Sequence, residues 1–161
     1  MDTIWAPWRM KYIKKLEKKN KECIFCAMPL QKSDKKNLIV YRGKDNFIIL
    51  NKYPYTNGHL MVVPYIHTSD SVDLNDDTAL EMWKLIHKCK DVLGNIFHPD
   101  GFNIGMNIGQ TAGAGIDQHI HMHIVPRWDG DSNFMSAVGN TKVISQSLYE
   151  TYESLFPGFS K

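Results

Sequence analysis

Two short apolar runs, "LIVYR" at 38–42 and "NFIILN" at 46–51, flank the turn residues "GKD", and this pattern predicts a β-hairpin. The turn-rich "NKYPYTNG" follows and leads into another β-type run, "HLMVVP", ended by Pro64. Over residues 75–98 the period changes. Ala79, Met82, Ile86, Cys89, Leu93 and Ile96 recur at spacings of three and four, which predicts one face of a long amphipathic helix. Asn75 or Asp76 can cap that helix, acidic residues fill its first turn, and "HPDG" stops it. "GFNIGMNIG" returns to strand alternation and runs into the glycine-rich "QTAGAGIDQ". "HIHMHIVP" predicts the last strand, and "ISQSLYETYESLF" a terminal helix. Hairpin, strand, helix, strand pair and helix, in that order, make an α+β domain with a largely antiparallel sheet.

Composition narrows the setting. A chain of 161 residues fits one domain that buries about 70% of its unfolded surface. Its formal charge of +2 gives no global attraction to nucleic acid or an anionic membrane, so neither is expected as a partner. No apolar run approaches the roughly 20 residues of a spanning helix. The opening "MDTIWAPWRMKY" lacks the apolar centre of a signal peptide, and the expected location is the cytoplasm. Residues 1–22 hold two tryptophans and six lysines and read as an extension whose lysine-rich half is a solvated helix or loop rather than a nucleic-acid patch. Three cysteines without a secretion signal argue against a disulfide framework. Cys89, within the helical stripe, reads as a small buried hydrophobe, and His87 and His98 as surface or helix-end residues.

The chemistry concentrates in "DQHIHMHIVPRW". In a strand His119, His121 and His123 would share one face and Ile120, Met122 and Ile124 the other. Same-face neighbours are then about 6.6 Å apart and the outer pair about 13 Å, too far for all three to hold one ion. A neutral imidazole suits nucleophilic attack on phosphorus, with neighbouring imidazoles donating to phosphate oxygens or orienting the attacking ring. "TAGAG" can bring backbone N–H groups close to a phosphate, or be a plain turn.

"HIHMHIV" resembles the histidine-triad (HIT) signature, and "LNKYPYTNGHLMVVPYIH" and "GFNIGMNIGQTAGAG" resemble the family's upstream blocks. "WAPWRMKYI" and "VPRWDGDSNFM" resemble the bacterial branch that includes diadenosine tetraphosphate phosphorylases and hydrolases. The resemblance spans about residues 5–136 and implies a HIT-like fold with a five-stranded sheet, a long helix and a C-terminal helix. It makes the chain one HIT domain, with an N-terminal extension at 1–22, a core at 23–136 and a C-terminal helix at 137–161. It further implies a nucleotidyl hydrolase or transferase acting on dinucleoside polyphosphates through a covalent nucleotidyl-histidine. On that reading His121 is the nucleophile, His123 contacts the scissile phosphate, and His59 supports the triad. Asn51 would contact ribose, Ile49 and Leu50 would border the base, and Asn107 or Gln110, with Gly113 and Gly115 of the glycine-rich loop, would lie at the phosphates. A homodimer is implied as well.

"CIFC" gives Cys23 and Cys26 the spacing of a metal knuckle, although alone it is half a site and fits a redox pair or two buried thiols equally. The resemblance completes it with His67 and His119 as a closed, structural Zn²⁺ site. Three alternatives stay open: a nucleoside phosphoramidase, a nucleotide-binding regulatory module with weak activity, and a hydrolase with zinc in the catalytic role.

Overall fold

The structure, a computed structural model, describes residues 22–131 and 144–160. The lysine-rich extension, the core boundary at 136 and the start of the C-terminal segment fall outside the described residues.

The hairpin forms as its sequence predicts, with β1 over Ile39–Arg42 and β2 over Asn46–Leu50. With β3 (Leu60–Pro64), β4 (Gly101–Gly105) and β5 (Met122–Arg127) they make a five-stranded sheet in the order β1-β2-β3-β5-β4, every neighbouring pair antiparallel. Two short helices precede it, α1 (Ile24–Leu30) and the single turn α2 (Asp34–Asn37), over residues for which the sequence pattern predicted no element. The long helix α3 runs over Asp76–Phe97, capped by the Asn75 side chain, which accepts from the Thr78 N–H at 2.9 Å. His98 closes α3 in the left-handed conformation, and His87 is exposed. The C-terminal helix α4 (Leu148–Phe159) opens with a capping box between Ser147 and Glu150 and packs on α3 and β1. No described helix is long and apolar enough to cross a membrane.

Cross-strand pairing sorts the side chains. Asn46, Ile48, Leu50, Leu60, Val62, Met122 and Ile124 share one face, and Asn46 Nδ2 ties it to α3 by donating to the Thr78 carbonyl at 3.0 Å. Under it lie Met82, Leu85, Ile86, Cys89, Val92 and Leu93, so Cys89 is the small buried hydrophobe expected. Phe47, Ile49, Met61 and His123 belong to the opposite face, which α1 approaches through Phe25.

The hairpin turn depends on one carboxylate. Glu81 of α3 accepts from the Lys44 and Asp45 N–H groups and from Asn46 Nδ2, at 2.7–2.8 Å. A Cβ on Gly43 would stand 2.8 Å from the Asn46 carbonyl oxygen and 2.7 Å from Glu81 Oε1, and the backbone contact explains the glycine of "GKD". Burial works to raise the Glu81 pKa, but the bonds from Asn46, Asp45 and Lys44 outweigh it and hold the carboxyl below its ordinary value. Glu81→Ala should cost about 1–3 kcal/mol at pH 7, because three donors lose a charged acceptor. Since the folded pKa lies below the unfolded one, this stability is present above about pH 5 and is lost as pH falls through the folded value. Urea unfolding of wild type and variant at pH 7 and pH 3 checks it, and the gap should narrow in acid.

The last strand differs from its prediction. The ladder begins at Met122, so His119 and His121 precede it and only His123 lies within it. The Ile120 N–H bonds to the Thr68 carbonyl at 2.7 Å instead of to a neighbouring strand, and the His119 ring is drawn toward Cys23 and Cys26. β4 likewise ends at Gly105, opposite His123, and the rest of "GFNIGMNIG" continues as loop.

Candidate active site and metal centre

His59 stands just ahead of β3, delivered by a turn whose Gly58 has φ +74°. A Cβ on Gly58 would meet Leu93 Cδ2 at 3.0 Å and Phe97 at 3.1 Å, so that turn needs glycine on both counts. His59 is fully buried, and its Nδ1 accepts the Tyr55 backbone N–H at 3.1 Å. In the neutral ring the proton is therefore on Nε2, which lies 2.9 Å from His123 Nδ1. His123 accepts there and carries its own proton on Nε2. The Tyr55 ring stacks on His59 at 4.9 Å, and the Asn51 amide approaches it at 3.4 Å. A short chain of donors thus settles the tautomer of His123.

His121 is settled differently. Its Nδ1 lies 2.8 Å from the His119 carbonyl oxygen, which can only accept, so the proton is on Nδ1 and the lone pair on Nε2. Its exposure is 5%, and that burial lowers its pKa, opposed by the bond to His119. The ring is neutral at pH 7, its centroid 4.9 Å from that of His123. An imidazole with a lone pair on Nε2 thus sits beside one with a proton on Nε2. The pair can attack an electrophile and donate to its oxygens in one place.

The nucleoside positions divide. Ile49 and Asn51 share the face of His59, Met61 and His123, whereas strand alternation turns Leu50 to the α3 side, where it is buried. Asn51 Oδ1 also accepts the Tyr53 N–H at 2.9 Å. Asn107, Gln110, Gly113 and Gly115 lie on the loop that leaves β4 beside His123, with a 3₁₀ turn at Gln110–Ala112 and positive φ at Gly109 and Gly113.

Behind the triad, Cys23, Cys26, His67 and His119 bring one ligand atom each within 4.8 Å of one another. Cys23 Sγ is 3.3 Å and Cys26 Sγ 3.6 Å from His119 Nδ1, and His67 Nδ1 is 3.4 Å from Cys26 Sγ and 3.3 Å from His119 Nδ1. A tetrahedral Zn²⁺ with bonds of about 2.0–2.3 Å spaces its ligands about 3.3–3.8 Å apart, and these separations fit. His119 Nε2 donates to the Pro64 carbonyl at 2.9 Å, which leaves Nδ1 with its lone pair toward the sulfurs. Burial, then the neighbouring Cys23, push the Cys26 thiol up to about 11, so without a cation this sulfur keeps its proton. The four residues could hold a metal.

Phe25 and Tyr55 went unnoticed in the sequence. Phe25, 3% exposed, packs its ring 5.5 Å from His119 and 5.1 Å from His121. An apolar residue between two candidate ligands was the available signal for it. Nothing in "YPYTNG" marks Tyr55 as a support for histidine.

The HIT domain family profile matches residues 32–130. The chain belongs to the HIT family. The "AP-4-A phosphorylase" of Mycobacterium tuberculosis is 41% identical over 157 residues, which cover 94% of this chain and 80% of that protein. The adenosine 5'-monophosphoramidase of Schizosaccharomyces pombe is 28% identical over 65% of this chain and 74% of its own length. In fold, the chain resembles a Zn-bound histidine triad family protein from Mycobacterium smegmatis, with a TM-score of 0.70 and 28% identity over 86% of this chain and 94% of that one.

Proposed function

We propose that this HIT protein cleaves a phosphoanhydride of dinucleoside polyphosphates of the diadenosine tetraphosphate type, with His121 as nucleophile and inorganic phosphate as acceptor. The observation that carries the reading is the opposed tautomers of His121 and His123, whose rings lie 4.9 Å apart. His121 Nε2 forms a bond to the α-phosphorus as the anhydride P–O bond breaks, and a nucleoside polyphosphate leaves. The positive charge gained by the ring is met by the His119 carbonyl through Nδ1–H. His123 Nε2–H donates to the phosphoryl oxygens. Phosphate oxygen then attacks the same phosphorus, the P–N bond breaks, and His121 returns to its neutral state. Ile49 and Asn51, on the histidine face, receive the base and ribose, and the loop carrying Asn107, Gln110, Gly113 and Gly115 receives the remaining phosphates.

Phosphate is preferred over water as acceptor because of the 41% identity with a protein named for phosphorolysis. Diadenosine tetraphosphate with phosphate should give ADP and ATP, and turnover should fall when phosphate is omitted. AMP and ATP formed at the same rate with or without phosphate would make it a hydrolase, and faster release of amines from nucleoside phosphoramidates would make it a phosphoramidase.

The same reading places Zn²⁺ on Cys23, Cys26, His67 and His119 in a structural role, and a cytoplasmic location for the chain. It also includes a homodimer, supported by the edge position of β4 and by exposed Leu80 and Trp83 on α3. A single-chain mass by light scattering at micromolar concentration would refute the dimer.

A further inference from the structure

Phe25, one of the two residues between the cysteines, is better placed for the chemistry than for the metal. Cys23 and Cys26 sit at the start of α1, where the Cys26 and Ala27 N–H groups both bond to the Cys23 carbonyl, at 3.1 and 2.9 Å. This turn brings both sulfurs to His119 and sends Phe25 inward. Its ring meets His119 nearly edge-on, at an interplanar angle of 72°, and leans on His121 at 52°. His121 is thereby held by three contacts: Nδ1 to the His119 carbonyl, the His123 ring, and the Phe25 ring. Two of the three come from the metal-binding segments.

We propose that Phe25 is a positioning residue for His121, through which the cysteine knuckle sets the direction of the attacking nitrogen. An imidazole can turn about its Cβ–Cγ bond and can carry its proton on either nitrogen. The Nδ1 bond to the His119 carbonyl selects one ring orientation and one tautomer. The Phe25 ring packs against that of His121 at 5.1 Å and narrows the room for such a turn. Being almost fully buried, Phe25 offers a nucleotide very little surface, so its influence on substrate passes through His121. The phosphorus must meet Nε2 in line, and misplacement by about 1 Å can cost about 100-fold in rate.

The inference rests on His121 being the nucleophile, and its test includes a readout that needs no substrate. Full-length wild type, Phe25→Ala and Phe25→Leu would be loaded with Zn²⁺ and compared for metal content, for melting temperature and by ¹H–¹⁵N long-range NMR of ¹⁵N-histidine protein, with the His121 resonance assigned from His121→Asn. In wild type His121 should show one tautomer, with the proton on Nδ1. In Phe25→Ala the protein should keep its metal, the two tautomers of His121 should mix, and kcat should fall at least about tenfold with KM changed less than about threefold. Phe25→Leu, which keeps most of the volume, should lie between and carries the test if the alanine variant does not fold. A folded, metal-loaded variant with the wild-type His121 tautomer and wild-type kcat overturns the proposal. If wild type turns over no nucleotide at all, the proposed function falls, and the NMR comparison still decides what Phe25 does.

Discussion

Replacing His121 with asparagine should lower turnover of diadenosine tetraphosphate by about 10⁴-fold or more while leaving the melting temperature nearly unchanged. Loss of the nucleophile in an enzyme with a covalent intermediate removes the reaction path itself, and effects of this size are usual. Asparagine is the informative substitution because its amide can still donate to the His119 carbonyl that His121 Nδ1 reaches at 2.8 Å. The local hydrogen bond survives and the Nε2 lone pair does not. In a denaturing alkaline quench of wild-type enzyme mixed with substrate and no phosphate, where a histidine P–N bond survives, a nucleotidyl group should be found on the protein. The asparagine variant should carry none. Residual turnover above about 1% of wild type, after exclusion of contaminating enzyme, would remove His121 from the nucleophilic role.

The structure gives each imidazole a separate set of hydrogen-bond partners for a reason that strand alternation alone does not contain. Alternation placed His119, His121 and His123 on one face at equal spacing, yet only His123 is in the ladder. All three rings are set by hydrogen bonds that the strand period does not contain: the distant Pro64 carbonyl for His119, the nearby His119 carbonyl for His121, and the distant His59, held by the Tyr55 N–H, for His123. Local periodicity reports which way a side chain faces when a strand is regular. It does not report which carbonyl a ring nitrogen will find.

The same distinction runs through the fold. The hairpin, α3 and the terminal helix were legible because each has a strong period, and the "GKD" turn and the Asn75 cap marked the hairpin and the start of α3. α1 was not, since it has seven residues, a proline within it and an N-cap cysteine whose side chain makes no capping bond. Its helical turn is joined to the rest of the domain by the contacts of Cys23, Cys26 and Phe25 with His119 and His121. Ile49 and Leu50, neighbours in the sequence, turned out to serve different faces, which follows from the strand period once the register with Met61 and His123 is known.

With Zn²⁺ on Cys23, Cys26, His67 and His119 as proposed, its removal should cost the protein much of its stability and its activity together. Zinc-loaded protein should hold about one equivalent per chain, and a content below about 0.2 would dispose of the site. Cys26→Ser, or exhaustive chelation, should lower the melting temperature by about 8–16 °C. A ligand at about 1,000 times its Kd stabilises by about 4 kcal/mol, and a domain of this size loses about 2–4 °C per kcal/mol. The fold should not collapse entirely, because β1–β5, α3 and α4 form a core that the four ligands do not build. The magnitude separates the two roles a metal could have. Four protein ligands at tetrahedral spacing leave no open coordination position, so a purely catalytic metal is not what these residues would hold. Chelation that abolished turnover with no change in melting temperature would favour a catalytic metal and overturn this assignment. Under the structural reading the two losses are linked, because His119 both faces the sulfurs through Nδ1 and fixes His121 through its carbonyl.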